Sequence, residues 1–322
     1  MKAIRAHSFG GPETLQLDEI EDPRPGPGEL VIEMRAAGLN PADTYMLTGQ
    51  YAIVPPLPFI PGGDCAGVVA ELGEGVTGFA PGDPVFAAAP LGRDLSGCFA
   101  EKVLRPAKDV LPLPQGADFA QAAALGIPYV TAHIALFRRG RAQAGETVFI
   151  HGASGAVGTA ATQLARRAGL TVIGSAGSDA GLALVRSLGA TLAVDHRAPG
   201  YLDAIRKAAP EGPALILEML ADVNLAADMA LAAKFGRIVI IGCRGEVTIP
   251  PRAAMMKELD ILGTAVWNAP REDVLAALAD IATGLADGSL APVIGQRIPL
   301  ADAARAYAEV LAPGRLGKIV LV

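Results

Sequence analysis

Short apolar runs broken by polar and turn-forming residues dominate the first third of the chain. KAIRA, ELVIEMRAAG, CAGVVAELG and CFAEKVLR are set apart by Pro and Gly clusters such as PRPGPGE and APGD. Runs of this length between turn signals predict the strands of a mostly β unit over residues 1–121. From residue 122 the pattern changes to TVFI, TVIG, TLAV, ALILEM, RIVIIG and ILGTAVW, with amphipathic stretches between most of them. Apolar strands alternating with helices predict a parallel sheet covered on both faces, because parallel strands need crossover connections. From residue 268 the chain reads as an alanine-rich helix, REDVLAALADIATGLADG, with a final Gly suited to a C-cap. A strand VIGQRIPL, a short helix ADAARAYAEVL and the apolar KIVLV follow. Periodicity identifies these last elements but not the domain they join.

The loop HGASGAVG, residues 151–158, leaves the run TVFI and enters a segment with a helical apolar period. Its marks are Val157, Ala160, Ala161, Leu164, Ala165 and Ala168. Strand, glycine loop and helix in succession are the context of a dinucleotide fingerprint. Gly152 suits a tight turn, Gly155 a close backbone approach to a pyrophosphate, and Gly158 close packing of helix on strand. Free N–H groups at the helix start favour phosphates. The spacing is GxxGxxG, with Ala153 where the usual fingerprint has its first glycine. The next strand ends in Ser175, Ala176, Gly177 and Ser178, where an NAD site places a carboxylate on the ribose 2′-hydroxyl. A carboxylate there would repel a 2′-phosphate, so its absence points to NADPH; Asp179 comes slightly too late. The loop itself lacks Arg and Lys, which leaves His196 and Arg197 as sources of positive charge.

Length and composition narrow the classes. A chain of 322 residues has room for two domains, and a formal net charge of -6 offers no broad basic surface for nucleic acid. No apolar run approaches the ~18–20 residues of a membrane span. The segment MKAIRAHSFG lacks a sustained apolar stretch and a small-residue cleavage site, so a cytoplasmic protein is expected. Cys65, Cys98 and Cys243 are scattered, odd in number and without a CxxC pair, as expected for reduced thiols rather than a disulfide framework or structural zinc.

The motifs GLNPADTYMLTGQY, PFIPGGDCAGVV, GVTGFAPGDPVFA, AALGIPYVTAHIAL, GETVFIHGASGAVG and GSAG occur in that order. Together with EMLADVNL, IIGCRGEVTIPPRAAMMKE and LAPVIGQRIPLADAARAY they span nearly the whole chain. The sequence resembles the zeta-crystallin type of NADPH:quinone oxidoreductase, within the medium-chain dehydrogenase/reductase superfamily. The resemblance implies an α/β protein: a GroES-like, mostly β catalytic domain over 1–121 and 268–322, and a Rossmann domain with a doubly wound parallel sheet over 122–267. It implies NADPH in the cleft between them, and a homodimer or homotetramer paired through an edge strand, here ILGTAVW. Matched motif by motif, Ser154, Gly155, Ala156 and Val157 line the pyrophosphate, and Gly177 and His196 lie near the adenosine ribose and its phosphate. Asn224, Gly242, Cys243 and Arg244 match later cofactor-contacting segments, and Thr131 matches a position near the nicotinamide. Tyr51 matches a tyrosine at the cleft, the plainer role being packing against the loop IVPPLPF.

Zinc alcohol dehydrogenases of the superfamily carry a Cys ligand where this chain has Asn40, and GHE where it has Gly62, Gly63 and Asp64. Their lobe of closely spaced cysteines is also missing. Zinc prefers Cys and His, so no catalytic metal is expected. Without a Lewis acid, alcohol oxidation is disfavoured. A quinone or enone takes hydride more readily, because the negative charge spreads over its own π-system. Asn40 and Tyr45 are the candidate polar contacts, with Tyr51 shaping the site, while Asp43 and Asp64 are read as structural. His133 and His151 are read as satisfied structural histidines, and Trp267 as an interface or cleft-wall residue. Two alternatives to quinone reduction are reduction of an enone, enal or enoyl-thioester double bond, and a structural or RNA-binding role known among crystallin-like relatives. The intact glycine loop and the acidic balance argue against the second.

Overall fold

The computed structural model describes residues 1–51, 54–89, 97–115 and 117–322. The chain begins with strands β1 (Lys2–Ala6), β2 (Leu15–Glu19) and β3 (Glu29–Leu39), helix α1 (Pro41–Leu47), and strands β4 (Asp64–Leu72), β5 (Pro84–Ala87), β6 (Lys102–Pro106) and β7 (Val110–Pro112). Short helices α2 (Phe119–Ala122) and α3 (Val130–His133) lead into an alternating series. Its members are β8 (Thr147–Ile150), α4 (Ala156–Arg167), β9 (Thr171–Ala176), α5 (Asp179–Ser187), β10 (Leu192–Asp195), α6 (Tyr201–Ala208), β11 (Leu215–Glu218), α7 (Ala221–Leu231), β12 (Arg237–Ile240), α8 (Pro251–Lys257) and β13 (Asp260–Gly263). The chain continues through α9 (Arg271–Ala286), β14 (Ile294–Ile298), α10 (Ala303–Val310) and β15 (Lys318–Leu321). Among the described residues no helix is long and apolar enough to cross a membrane.

Two compact units result, one of Met1–Ile127, Leu278–Ala312 and Lys318–Val322, the other of Pro128–Ala277 and Pro313–Gly317. The second division falls inside α9, ten residues after the position expected from sequence, because a continuous helix has no turn signal to mark it. In the first unit a seven-stranded sheet runs β14-β15-β3-β4-β5-β7, with β6 also on β3. The tail thus enters this sheet, with β15 antiparallel to β3 and parallel to β14. The core here packs Ile4, Ile32, Leu39, Phe99, Tyr307 and Leu321.

The second unit holds a six-stranded parallel sheet in the order β10-β9-β8-β11-β12-β13. Its central strands are buried on both faces, which is why TVFI and LILE read as unbroken apolar runs rather than alternating ones. The strand order reverses direction between β8 and β11, the place where ligands of such sheets bind beyond the carboxyl ends of the strands. The expected strand ILGTAVW is cut short. Only its start pairs with β12, and Val266–Asn268, which include Trp267, form a 3₁₀ turn.

Candidate functional site

The glycine loop owes its shape to its three glycines. Gly152 has φ of +55°, a left-handed conformation that side chains rarely adopt. At Gly158 a Cβ would lie 2.3 Å from the Gly152 carbonyl oxygen and 2.5 Å from Ala153 Cα, so any side chain would push α4 off the loop. Gly155, the N-cap of α4, differs: its φ is an ordinary -78° and a Cβ would meet only the Gly152 carbonyl oxygen, at 3.4 Å. Packing therefore does not require glycine there. The loop is anchored to β9, with the Ala153 amide on Ser175 O (2.7 Å) and the Gly152 amide on Ser175 Oγ (3.2 Å). Ser154 is buried, its carbonyl accepting from Gly317 N and its hydroxyl reaching Arg315 O. Ala156 and Val157 form the first turn of α4, where amides have no earlier helical carbonyl to bond.

The neighbouring strand ends bring further expected residues to the same edge of the sheet. Gly177 follows β9 and lies against His196, whose Nε2 is 2.7 Å from where a Gly177 Cβ would be. Although His196 is exposed, partial desolvation of its ring pushes the imidazole below its ordinary value. The standing positive charge here is Arg197, held by Asp195 at 3.2 Å and largely exposed. Asp179 is the first residue of α5, beyond the Ser178 cap that receives the Gly181 amide. Beyond β11, Asn224 on α7 donates to Glu218 Oε1 at 3.1 Å. Gly242 comes so near Met219 that a Cβ would sit 2.3 Å from its carbonyl oxygen, and the Arg244 amide bonds Asp222 Oδ1. Cys243 is exposed and donates to Gly245 O. Thr131 is apart from this row of strand ends, buried on α3.

In the first unit the expected polar residues gather around a side chain that sequence reading missed. Asn40 ends the run from β3 into α1 and is 2% exposed. Its amide donates to Asp64 Oδ2 (3.2 Å) and Gly38 O (3.3 Å), and its Oδ1 accepts from the buried ammonium of Lys318. Asp64 also accepts from the amides of Ala89 and Ile127, both at 2.9 Å. Asp43 Oδ2 accepts from the backbone N–H of Asn40 at 2.7 Å. Burial pushes Asp43 up to about 7 and Lys318 down to about 8, the latter opposed by Asp64 and Asp43. Gly38 is required beside the lysine stem, since a Cβ would lie 2.8 Å from Lys318 Cε and 2.2 Å from Ala123 O. Tyr45 on α1 stacks on Tyr51, ring centres 6.4 Å apart, and both are partly exposed. Ile53 of the adjoining IVPPLPF loop lies outside the described residues. The only signal for Lys318 in sequence is a lone charge opening an apolar strand.

This donor set does not fit a zinc ion. Asn40 and Asp64 stand where the superfamily's metal ligands would be, but an amide is a weak zinc donor, and a buried ammonium on Asn40 Oδ1, 4.0 Å from Asp64 Oδ2, already supplies the positive charge.

Two family models match the chain, the alcohol dehydrogenase GroES-like domain over residues 26–115 and the zinc-binding dehydrogenase over 156–283. Quinone oxidoreductase of Rattus norvegicus is 42% identical over 325 residues, covering 100% of this chain and 98% of its own. A solved NAD-dependent alcohol dehydrogenase superposes with TM-score 0.92 at 30% identity, covering 100% of this chain and 99% of its own. A mycobacterial protein solved in complex with NADPH gives TM-score 0.89 at 27% identity, with both chains fully covered. Identity at that level over the full length, on a GroES-like unit and a Rossmann unit, means that the chain belongs to the quinone oxidoreductase, or zeta-crystallin, family of medium-chain dehydrogenases/reductases.

Proposed function

We propose that this chain is an NADPH-dependent quinone oxidoreductase that works without a metal. The observation that carries the cofactor assignment is Gly155, a glycine that its own packing does not require, at the N-terminus of a twelve-residue helix. That is the opening a pyrophosphate needs. Ser154, Gly155, Ala156 and Val157 would hold the pyrophosphate. Gly177, His196 and Arg197 would receive the adenosine ribose and its 2′-phosphate. Asn224, Gly242, Cys243 and Arg244 would flank the far side, and Thr131 the nicotinamide. NADPH, when bound, supplies the hydride.

The chain's own residues orient the acceptor. Tyr45 and Tyr51 donate to the quinone oxygens, on which the developing charge is already delocalised, so hydrogen bonds suffice in place of a Lewis acid. Asn40 has both ends of its amide engaged and acts by fixing α1, and hence Tyr45, against Asp64 and Lys318. The buried thiols Cys65 and Cys98, hydrogen-bonded to each other, suit a reducing compartment such as the cytoplasm. Pairing of copies along β13, the end strand of its sheet, would make a homodimer or homotetramer.

The test is NADPH oxidation, after chelation, with panels of ortho- and para-quinones and of enones, repeated with NADH. Turnover of quinones with NADPH supports the proposal. Turnover of enones alone moves the activity to double-bond reduction, and loss on chelation overturns the metal-free reading.

A further inference from the structure

The point where the parallel sheet reverses direction holds a group of side chains that the cofactor reading leaves unused. His151 follows β8 and directly precedes Gly152, Glu218 is the last residue of β11, and Asp228 lies on α7. Leu217 pairs with Ile150, so the residues leaving these two strands meet. His151 Nε2 is 2.8 Å from Asp228 Oδ1 and 3.1 Å from Glu218 Oε2. His151 is 4% exposed and both carboxylates are wholly buried.

Counting protons explains the arrangement. With the proton of the neutral imidazole on Nε2, it goes to Asp228, the nearer neighbour. Glu218 Oε1 accepts from the Leu220 amide and from Asn224, which ties it to the start of α7. Glu218 Oε2 and Asp228 Oδ2 are then left without a partner if both carboxylates are charged. Two adjacent buried anions with orphaned oxygens are costly. One ligand atom from each of His151, Glu218 and Asp228 lies within 4.8 Å of the others, so a proton on Glu218 shared toward Asp228 would satisfy both oxygens and leave a single charge facing the imidazole.

We propose that His151, Glu218 and Asp228 form a proton-held clamp that positions the cofactor loop: with Glu218 protonated, the clamp ties the residue before Gly152 to the α7 segment carrying Asn224, and loss of that proton releases it. The proposal rests on the NADPH reading above. Burial first, then the neighbouring Asp228, pushes Glu218 up to about 8, and burial pushes Asp228 up to about 6. Burial also lowers His151, so its ring is neutral through this range. The other titratable groups that feel the triad are Tyr201 on α6, raised by burial and by both carboxylates, and His196 after β10, lowered chiefly by burial. Neither changes charge near pH 8. Affinity for NADPH is therefore present below about pH 8 and lost above it, approaching tenfold per pH unit.

The measurement is NADPH binding by the full chain, followed by fluorescence from about pH 7 to pH 9.5, where the 2′-phosphate is already fully ionised. Steady-state quinone kinetics run alongside. In the wild type Kd for NADPH rises above about pH 8; kcat at saturating NADPH is compared with that of Glu218→Gln at each pH, because Lys318 also loses its charge in this range. Glu218→Gln keeps a donor toward Asp228 and an acceptor toward Leu220, so its Kd profile is flat and lies about tenfold below the wild type at about pH 9. A thermal melt confirms that the variant is folded, and Glu218→Met, which lacks the donor, binds at least tenfold more weakly at pH 7. A flat wild-type profile, or a rise that persists in Glu218→Gln, overturns the clamp. A stoichiometric metal whose removal weakens NADPH binding would also overturn it, in favour of a metal site. Absence of NADPH binding at every pH in wild type and variants alike refutes the cofactor reading itself, and the clamp with it.

Discussion

Lys318 donates a hydrogen bond from its buried ammonium to Oδ1 of Asn40, 278 positions earlier in the chain, and stands 4.0 Å from Asp64 Oδ2. Lys318→Met keeps most of the stem volume and removes the charge, leaving Asn40 Oδ1 unbonded and Asp64 without its cation. Removing one partner of a buried pair costs about 3–5 kcal/mol. The denaturant midpoint should fall accordingly, and an unchanged midpoint would mean that the lysine does not hold α1 to β15.

Gly155→Ala separates packing from cofactor binding. The backbone there tolerates a side chain, and the entropic gain of about 0.4–1 kcal/mol is offset by alanine's poorer capping. Unfolding free energy should thus change by less than about 1 kcal/mol, while KM for NADPH rises tenfold or more because the new methyl stands where a pyrophosphate would approach. A large loss of stability with unchanged KM would return Gly155 to a packing role.

Arg197 is the standing positive charge beside Gly177. Arg197→Ala should raise KM for NADPH about tenfold, the lower end of a charge-assisted hydrogen bond, and leave KM for NADH nearly unchanged. Equal effects on both coenzymes would remove Arg197 from 2′-phosphate recognition.

Thiol labelling of the native protein should modify Cys243 alone, since Cys65 and Cys98 are wholly buried, and all three after denaturation. Saturating NADPH should slow labelling of Cys243 severalfold if that loop covers the cofactor. Equal rates with and without NADPH would take Cys243 out of the site.

Elements with a strong period were legible from residues alone. TVFI with its glycine loop, the helix after it and the alternation that builds the parallel sheet all follow from local pattern. What escaped depends on contacts far apart in the chain. Lys318 is an unremarkable charge until β15 pairs with β3 and carries it to Asn40. Glu218 and Asp228 belong to an apolar strand and an alanine-rich helix, and only the reversal of strand order brings them to His151. Short β5 and β7, held by their sheet neighbours, carry too few residues to show a period. His196 reads in sequence as a source of positive charge, but partial desolvation lowers its imidazole although the residue is exposed, whereas the guanidinium of Arg197 stays charged.

The place of β15 between β14 and β3 bears on how the protein is made. A ribosome delivers β1 to β7 first, yet their sheet lacks its β15 and β14 strands, and Asn40 its ammonium, until residue 321 has emerged. The parallel sheet is complete in sequence by residue 263. Vectorial synthesis therefore lets the later-encoded unit close its sheet before the earlier one. Over that interval β6 already covers Glu29–Glu33 of β3, and the half-finished first unit exposes an open strand edge at Ala37–Leu39, where another nascent strand could pair.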